Sequence, residues 1–245
     1  MNIKHFLRVL PIFAVLMACS GRISGQLVQD GSGSLQIQAG LEPNMIALVR
    51  NLRDASGGQG GSVLDAATLN RTLQAAPGIA SSALRNSGQE KIDGSVRISN
   101  IGDLLNTGAA RFVSYTASSG AVPGKLTIHL DRSNAPLVLK QLGPEAEYYL
   151  ALLLAPAATG DVISKAEYLE QVELVYSMIK GVDGKALAAE IAASGISVTI
   201  TLPGTVKSVK GGTYSGREAR FNIPLTDILV LEKALDYEIT WGTAD

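Results

Sequence analysis

Between Gly195 and Gly204 the chain reads GISVTITLPG, and no other stretch constrains the fold as strongly. Ile196, Val198, Ile200 and Leu202 are separated by Ser197, Thr199 and Thr201, so an extended chain sends every apolar side chain to one side and every hydroxyl to the other. A helix would scatter the same residues around its circumference. The pattern returns twice. Ala219, Phe221 and Ile223 alternate with Glu218, Arg220 and Asn222, and Tyr237, Ile239 and Trp241 alternate with Asp236, Glu238 and Thr240. Joined by Gly-containing turns, these segments predict a meander of antiparallel strands with one wet face, its apolar phase turned toward helices.

Upstream, Leu35, Ile37, Ala39 and Leu41 alternate with polar or small residues and predict a further strand. PNMIALVRNLRDA then opens with Pro43 and places Met45, Val49 and Leu52 at helical spacing. After the glycines of GGQGG, the segment LDAATLNRTLQAAPGIASSALRN predicts a helix capped by Asp65, broken at Pro77 and continued by a second helix. Residues 95–100 and 111–118 and the segment GKLTIHLDR predict three neighbouring antiparallel strands. Helices follow: Asn134 is a candidate cap, Gly143-Pro144 a restart, and Ser164 with Glu167 an S-x-x-E capping box. The helix after that box buries Leu169, Val172, Tyr176 and Ile179, and another runs from Lys185 to Ala193.

The first residues are of a different kind. Lys4 and Arg8 precede VLPIFAVLMA, an uncharged run that has the length of a signal-peptide core and falls short of the ~20 residues a membrane span needs. It ends in Leu16-Met17-Ala18-Cys19, holding the only cysteine of 245 residues. A leucine three residues before a cysteine, with alanine directly before it, resembles the lipobox of bacterial lipoproteins. That resemblance implies diacylglyceryl transfer to Cys19, cleavage before it and acylation of the new amino terminus. An unpaired exposed thiol would be a liability outside the cytoplasm, and no second cysteine is present to pair with it. At ~0.8 kcal/mol per buried methylene, several acyl chains would anchor the protein essentially permanently. SGRISGQLVQDGSG, residues 20–33, then reads as a flexible leash. The expected organisation is a signal peptide over 1–18, a lipidated tether over 19–33 and a single α+β domain over 34–245.

ITLPGTVKSVKGGTYSGREARFNIPL, followed by DYEITW, resembles the domain of LppM-type lipoproteins, in which a Leu-Pro-Gly strand, a Gly-containing hairpin and an aromatic-bearing strand recur. The resemblance covers roughly the last fifty residues and the lipobox. It implies a secreted, lipid-anchored α+β protein without a defined biochemical role. The expected architecture is an antiparallel meander sheet with helices packed largely on one face.

Several chemistries are excluded by what the mature chain lacks. Removal of residues 1–18 leaves 19 Lys and Arg against 22 Asp and Glu, a balance unsuited to nucleic acid as a bulk electrostatic partner. A composition 46% apolar and 18% charged belongs to a globular chain. With one mature histidine, His129, and one cysteine, a structural zinc site has too few ligands, and no metal or cofactor is expected. Glu167, Glu170 and Glu173 lack the histidine of a di-iron motif and read as a solvated helix face. GAVPGKLT is one residue short of a phosphate-binding loop and has Leu126 where that loop needs a hydroxyl. His129 shares a strand face with Thr127 and Asp131, but no G-x-S-x-G accompanies it.

Two features remain open to a role in binding. Lys207, Lys210, Arg217 and Arg220 gather around one hairpin and suit anionic headgroups or a partner protein. YYLALLLAPAA, with Tyr148, Leu150, Leu152, Leu153 and Leu154, is a core helix or the wall of an apolar pocket. The expected function is therefore that of a non-enzymatic envelope lipoprotein, a binding or structural module held to the membrane through Cys19. A carrier of lipid or another apolar ligand between sheet and helices is the alternative, and a hydrolase using His129 ranks last. Ser20 after the cysteine is compatible with the outer membrane where a cell has two.

Overall fold

A computed structural model of the chain describes residues 20–55, 64–105, 112–136, 150–151 and 153–243. Two strands come first, β1 (Ser20–Leu27) and β2 (Gly33–Gly40), then helices α1 (Pro43–Ala55) and α2 (Ala66–Gln74). Strands β3 (Ile79–Gly88) and β4 (Lys91–Ile98), the short α3 (Ile101–Leu105), and strands β5 (Val113–Thr116) and β6 (Gly124–Leu130) follow. A helical stretch comprises α4 (Pro156–Thr159), α5 (Lys165–Tyr176) and α6 (Gly184–Ala193). The chain closes with β7 (Gly195–Thr201), β8 (Val206–Lys210), β9 (Thr213–Ser215), β10 (Glu218–Pro224), α7 (Leu225–Val230) and β11 (Leu235–Trp241).

The strands form two sheets. The larger has seven strands in the order β3-β4-β2-β1-β7-β10-β9, the smaller four in the order β5-β6-β11-β8. The α+β class holds, but the single antiparallel meander does not: β1 and β7 run parallel, which makes the large sheet mixed. Only the small sheet is antiparallel throughout. The grouping of strands changes too. Of the segment 95–100, residues 95–98 lie in β4 of the large sheet, apart from β5 and β6, and β11 leaves β7 and β10 to pair with β6 and β8. Local alternation marks a strand but carries no information on its neighbour.

The tether expected over residues 20–33 is largely a strand instead. β1 pairs along its whole length with β2 and lies in the middle of the large sheet. One of its glycines, Gly25, has a packing reason. A Cβ at Gly25 would sit 2.3 Å from the Ser34 carbonyl oxygen and 2.6 Å from Leu35 Cδ2. Glycine at 25 leaves the space that Leu35 of β2 occupies, and the same Gly- and Ser-rich composition reads as a linker when only the sequence is seen. The helix expected after Pro77 is likewise β3, which pairs with β4 in a register broken at two points and buries Ser82 and Leu84. Helix propensity is a weak prior, and pairing with β4 overrides it.

Register puts the large aliphatic and aromatic side chains of β1, β2, β4, β7 and β10 on one face. Over β2, β3 and β4 that face meets helices, with Ile37, Ala39, Leu84, Ile92 and Val96 in one cluster with Leu48, Leu73, Tyr168, Val172, Leu187 and Ile191. Over β1, β7 and β10 it meets the small sheet, with Leu27, Ala219 and Phe221 clustered with Leu126, Val206, Ile239 and Trp241. Phe221, Ile223, Ile239 and Trp241 thus lie in the core between the two sheets, where the only helical side chains in their cluster among the described residues are those of α3. Trp241 is fully buried, and Gly124 on the adjacent strand leaves it room, since a Cβ there would lie 2.1 Å from the indole.

The helix ends follow from named side chains. Asp65 accepts from the backbone of Ala67 and Thr68 at the start of α2. The Ser164–Glu167 capping box forms as the spacing predicts, with both reciprocal bonds present. At α1, the Glu190 carboxylate of α6 accepts from the backbone N–H groups of Asn44 at 3.0 Å and Met45 at 3.2 Å. A carboxylate there satisfies donors that a helix start leaves orphaned and complements the dipole.

Candidate functional site

The outer face of the large sheet is polar over six strands. Register aligns Arg85, Asp93, Gln38, Arg22, Ser197 and Asn222 in one row across β3, β4, β2, β1, β7 and β10. The next row inward is Ala83, Ser95, Gln36, Ser24, Thr199 and Arg220. On the opposite side, toward the beginning of β1, the row is Lys91, Gly40, Ser20, Gly195 and Pro224, nearly without large side chains. That step leaves a groove of about 860 Å³, floored by the Arg85–Asn222 row and walled by residues 192–194 at the end of α6.

Charge in the groove is unbalanced. Arg85 and Asp93 form an ion pair at 3.0 Å, which holds the Asp93 carboxyl below its usual range chiefly through the Arg85 hydrogen bond. Arg22 and Lys91 are exposed and have no ion-pair partner among the described residues. Ser20 lines the rim and donates its hydroxyl to Glu42 at 3.0 Å. The groove can therefore offer two unneutralised cations, hydroxyls and amides to an anionic, hydrogen-bonding partner. Sequence reading missed it because alternation labels these positions only as the wet side of separate strands. Among the described residues, the signal was the recurrence of Arg and Gln in the polar phase of β1 and β2.

The outer face of the small sheet is organised differently, by cross-strand pairs that satisfy one another. Lys125 meets Glu238 at 2.9 Å, and Ser208 meets Thr240 at 2.7 Å. His129 belongs to this ladder. Its Nδ1 lies 2.5 Å from Asp236 and its Nε2 3.1 Å from Asp131. The Asp236 hydrogen bond, then that of Asp131, raises the imidazole above its ordinary value. The Ser133 hydroxyl and the Asn134 amide hold the Asp131 carboxyl down to about 2. Both ring nitrogens are engaged by carboxylates, so neither is free to take a proton from a nucleophile, and Ser133 spends its hydroxyl on Asp131.

The other expected site residues are dispersed. Cys19, Tyr148 and Leu152 lie outside the described residues. Leu150 and Leu153 are buried in the helix-side core, where the Tyr168 hydroxyl donates to the Leu153 carbonyl at 2.8 Å; Leu154 packs half-buried beside them. The four cations of the hairpin do not converge. Lys210 on β8 of the small sheet reaches Asp236 at 3.4 Å, while Arg220 on β10 of the large sheet pairs with Glu218. Arg217 donates to the Leu202 carbonyl at 2.8 Å, and Lys207 is exposed on β8. Among the described residues no three His, Cys, Asp or Glu side chains gather to hold a metal ion. Nor is any described helix long and apolar enough to cross a membrane.

No protein-family model and no curated protein matches the sequence. Among solved structures, the chain is similar to the folded domain of Mycobacterium tuberculosis LppM, determined by NMR. The similarity covers 92% of this chain and 90% of that one, at 12% identity and a TM-score of 0.39, a likeness at which neither fold nor function transfers.

Proposed function

We propose that this protein is a lipid-anchored lipoprotein of the cell envelope, acting without catalysis as a binding or structural module. The observation that carries the reading is the position of the lone cysteine. Cys19 ends an apolar signal-like run, and strand β1 begins one residue later at Ser20. A signal peptide cleaved before Cys19 would release a chain whose first residue adjoins β1, so processing leaves the central strand whole. The buried state of Leu150 and Leu153 favours a module that binds on its outside over a carrier with an internal cavity.

The test is Cys19→Ser, followed by intact mass and detergent partitioning of the product. The wild type is expected to carry diacylglyceryl and N-acyl mass on a chain starting at Cys19, and the variant to lose lipid and remain uncleaved or become soluble. A wild-type product cut elsewhere, without lipid, overturns the proposal.

A further inference from the structure

The groove at the beginning of β1 and the anchor meet at one point. We propose that this groove is the surface that rests on the bilayer, with Arg22 and Lys91 contacting net-anionic lipid headgroups. The inference rests on the anchor reading above and adds to it an orientation and a partner chemistry.

With residues 20–27 paired in the sheet, nothing separates the acyl chains from the domain. Cys19 adjoins Ser20, whose backbone is aligned with Gly40 on one side and Gly195 on the other. Consecutive Cα atoms are about 3.8 Å apart, so the lipid would enter the membrane within one residue of the groove rim. A flexible leash would let the domain tumble above the bilayer, whereas a lipid on the residue directly before a central strand holds one end of the sheet against it. The end so held is the row Lys91, Gly40, Ser20, Gly195 and Pro224, with Arg22 two residues, about 7 Å, further along β1.

Charge selects the partner. Asp93 is paired with Arg85, and Glu42 at the rim keeps its charge while it accepts the Ser20 hydroxyl, so Arg22 and Lys91 leave the groove and its rim with a net positive charge. Ser20, Gln38, Ser197 and Asn222 add neutral hydrogen-bonding groups at the rim and on the floor. The groove shows no exposed aromatic or large aliphatic side chain on its floor row, which suits the headgroup layer and not the acyl region. Basic side chains at an anionic surface concentrate there by electrostatic attraction that fades within a Debye length, so only groups held at the interface by the anchor gain from it.

The full-length protein, processed in a lipoprotein-competent host, is reconstituted into vesicles of phosphatidylcholine alone or with phosphatidylglycerol. Flotation reports anchoring. Acetylation of lysines, read residue by residue by mass spectrometry, reports contact. Phosphatidylglycerol is expected to slow acetylation of Lys91 at least about fivefold while leaving the exposed Lys233 unchanged. Arg22→Gln is expected to float as the wild type does and to weaken the protection of Lys91. Equal Lys91 rates in the two compositions, with the protein floating, overturn the headgroup contact and leave the anchor standing; equal slowing in both does the same, because it shows burial without charge selection. Failure to float overturns the anchor itself.

Discussion

His129 illustrates how a residue that looks catalytic in one dimension is satisfied in three. Its neighbour along the strand, Asp131, takes one ring nitrogen, while Asp236 arrives from β11 through cross-strand register and takes the other. Because the hydrogen bond to Asp236 is the main cause of the raised imidazole value, a proton titration followed by NMR is expected to give a midpoint above 6.5. Asp236→Asn should lower that midpoint more than Asp131→Asn. The linkage sign follows from the direction of the shift. A group that binds its proton more tightly when folded stabilises the fold fully below pH ~6.5 and loses that contribution as pH rises through the folded value. The melting temperature should therefore fall slightly across that window, and the fall should vanish in His129→Gln. An unshifted midpoint would remove the paired geometry.

At the scale of elements, the free edge of the large sheet at β3 is closed by a helix. Asn70 of α2 donates its amide to the Leu84 carbonyl at 2.7 Å and accepts from the Leu84 N–H at 2.9 Å, so one side chain stands in for the missing strand. Gln74 reaches the Ser82 carbonyl at 3.3 Å, and Asn86 donates to the Leu64 carbonyl at 2.6 Å. An open edge would template pairing with another chain. Asn70→Ala is expected to lower stability by ~1 to 3 kcal/mol in denaturant unfolding, since two backbone groups lose their partner. Light scattering should show faster association of the variant on heating. A variant as stable and as monomeric as the wild type would show that α2 packs beside the edge without guarding it. The other edge, β9, needs less protection because it has only three residues.

At the scale of the molecule, β1 joins the two halves of the large sheet. Without it, β3-β4-β2 and β7-β10-β9 share no strand contact, and the long-range parallel pairing to β7 is lost. A chain beginning at Val28 is therefore expected to show no cooperative thermal transition by circular dichroism, while one beginning at Ser20 retains it. If residues 20–27 were a leash, both would melt alike. The same placement ties the anchor to the groove, because the residue that would carry the lipid and the residue that opens the groove are adjacent in sequence.

Much of the local structure was legible in the chain itself. The period-two runs of β2, β6, β7, β10 and β11, the Asp65 cap, the Ser164–Glu167 box and the apolar face of α5 all depend on neighbours within a few residues. So does the lipobox-like run before Cys19. What tertiary structure decided was pairing. The Gly- and Ser-rich segment 20–27 became a central strand because β2 and β7 pair with it on either side and Gly25 leaves the space that Leu35 fills, and IASSALRN became a strand because β4 was there to receive it. The groove was beyond any window on the sequence. Its floor row takes one residue from each of six strands, from Arg22 to Asn222, and a surface made by register exists only once the strands have chosen their partners.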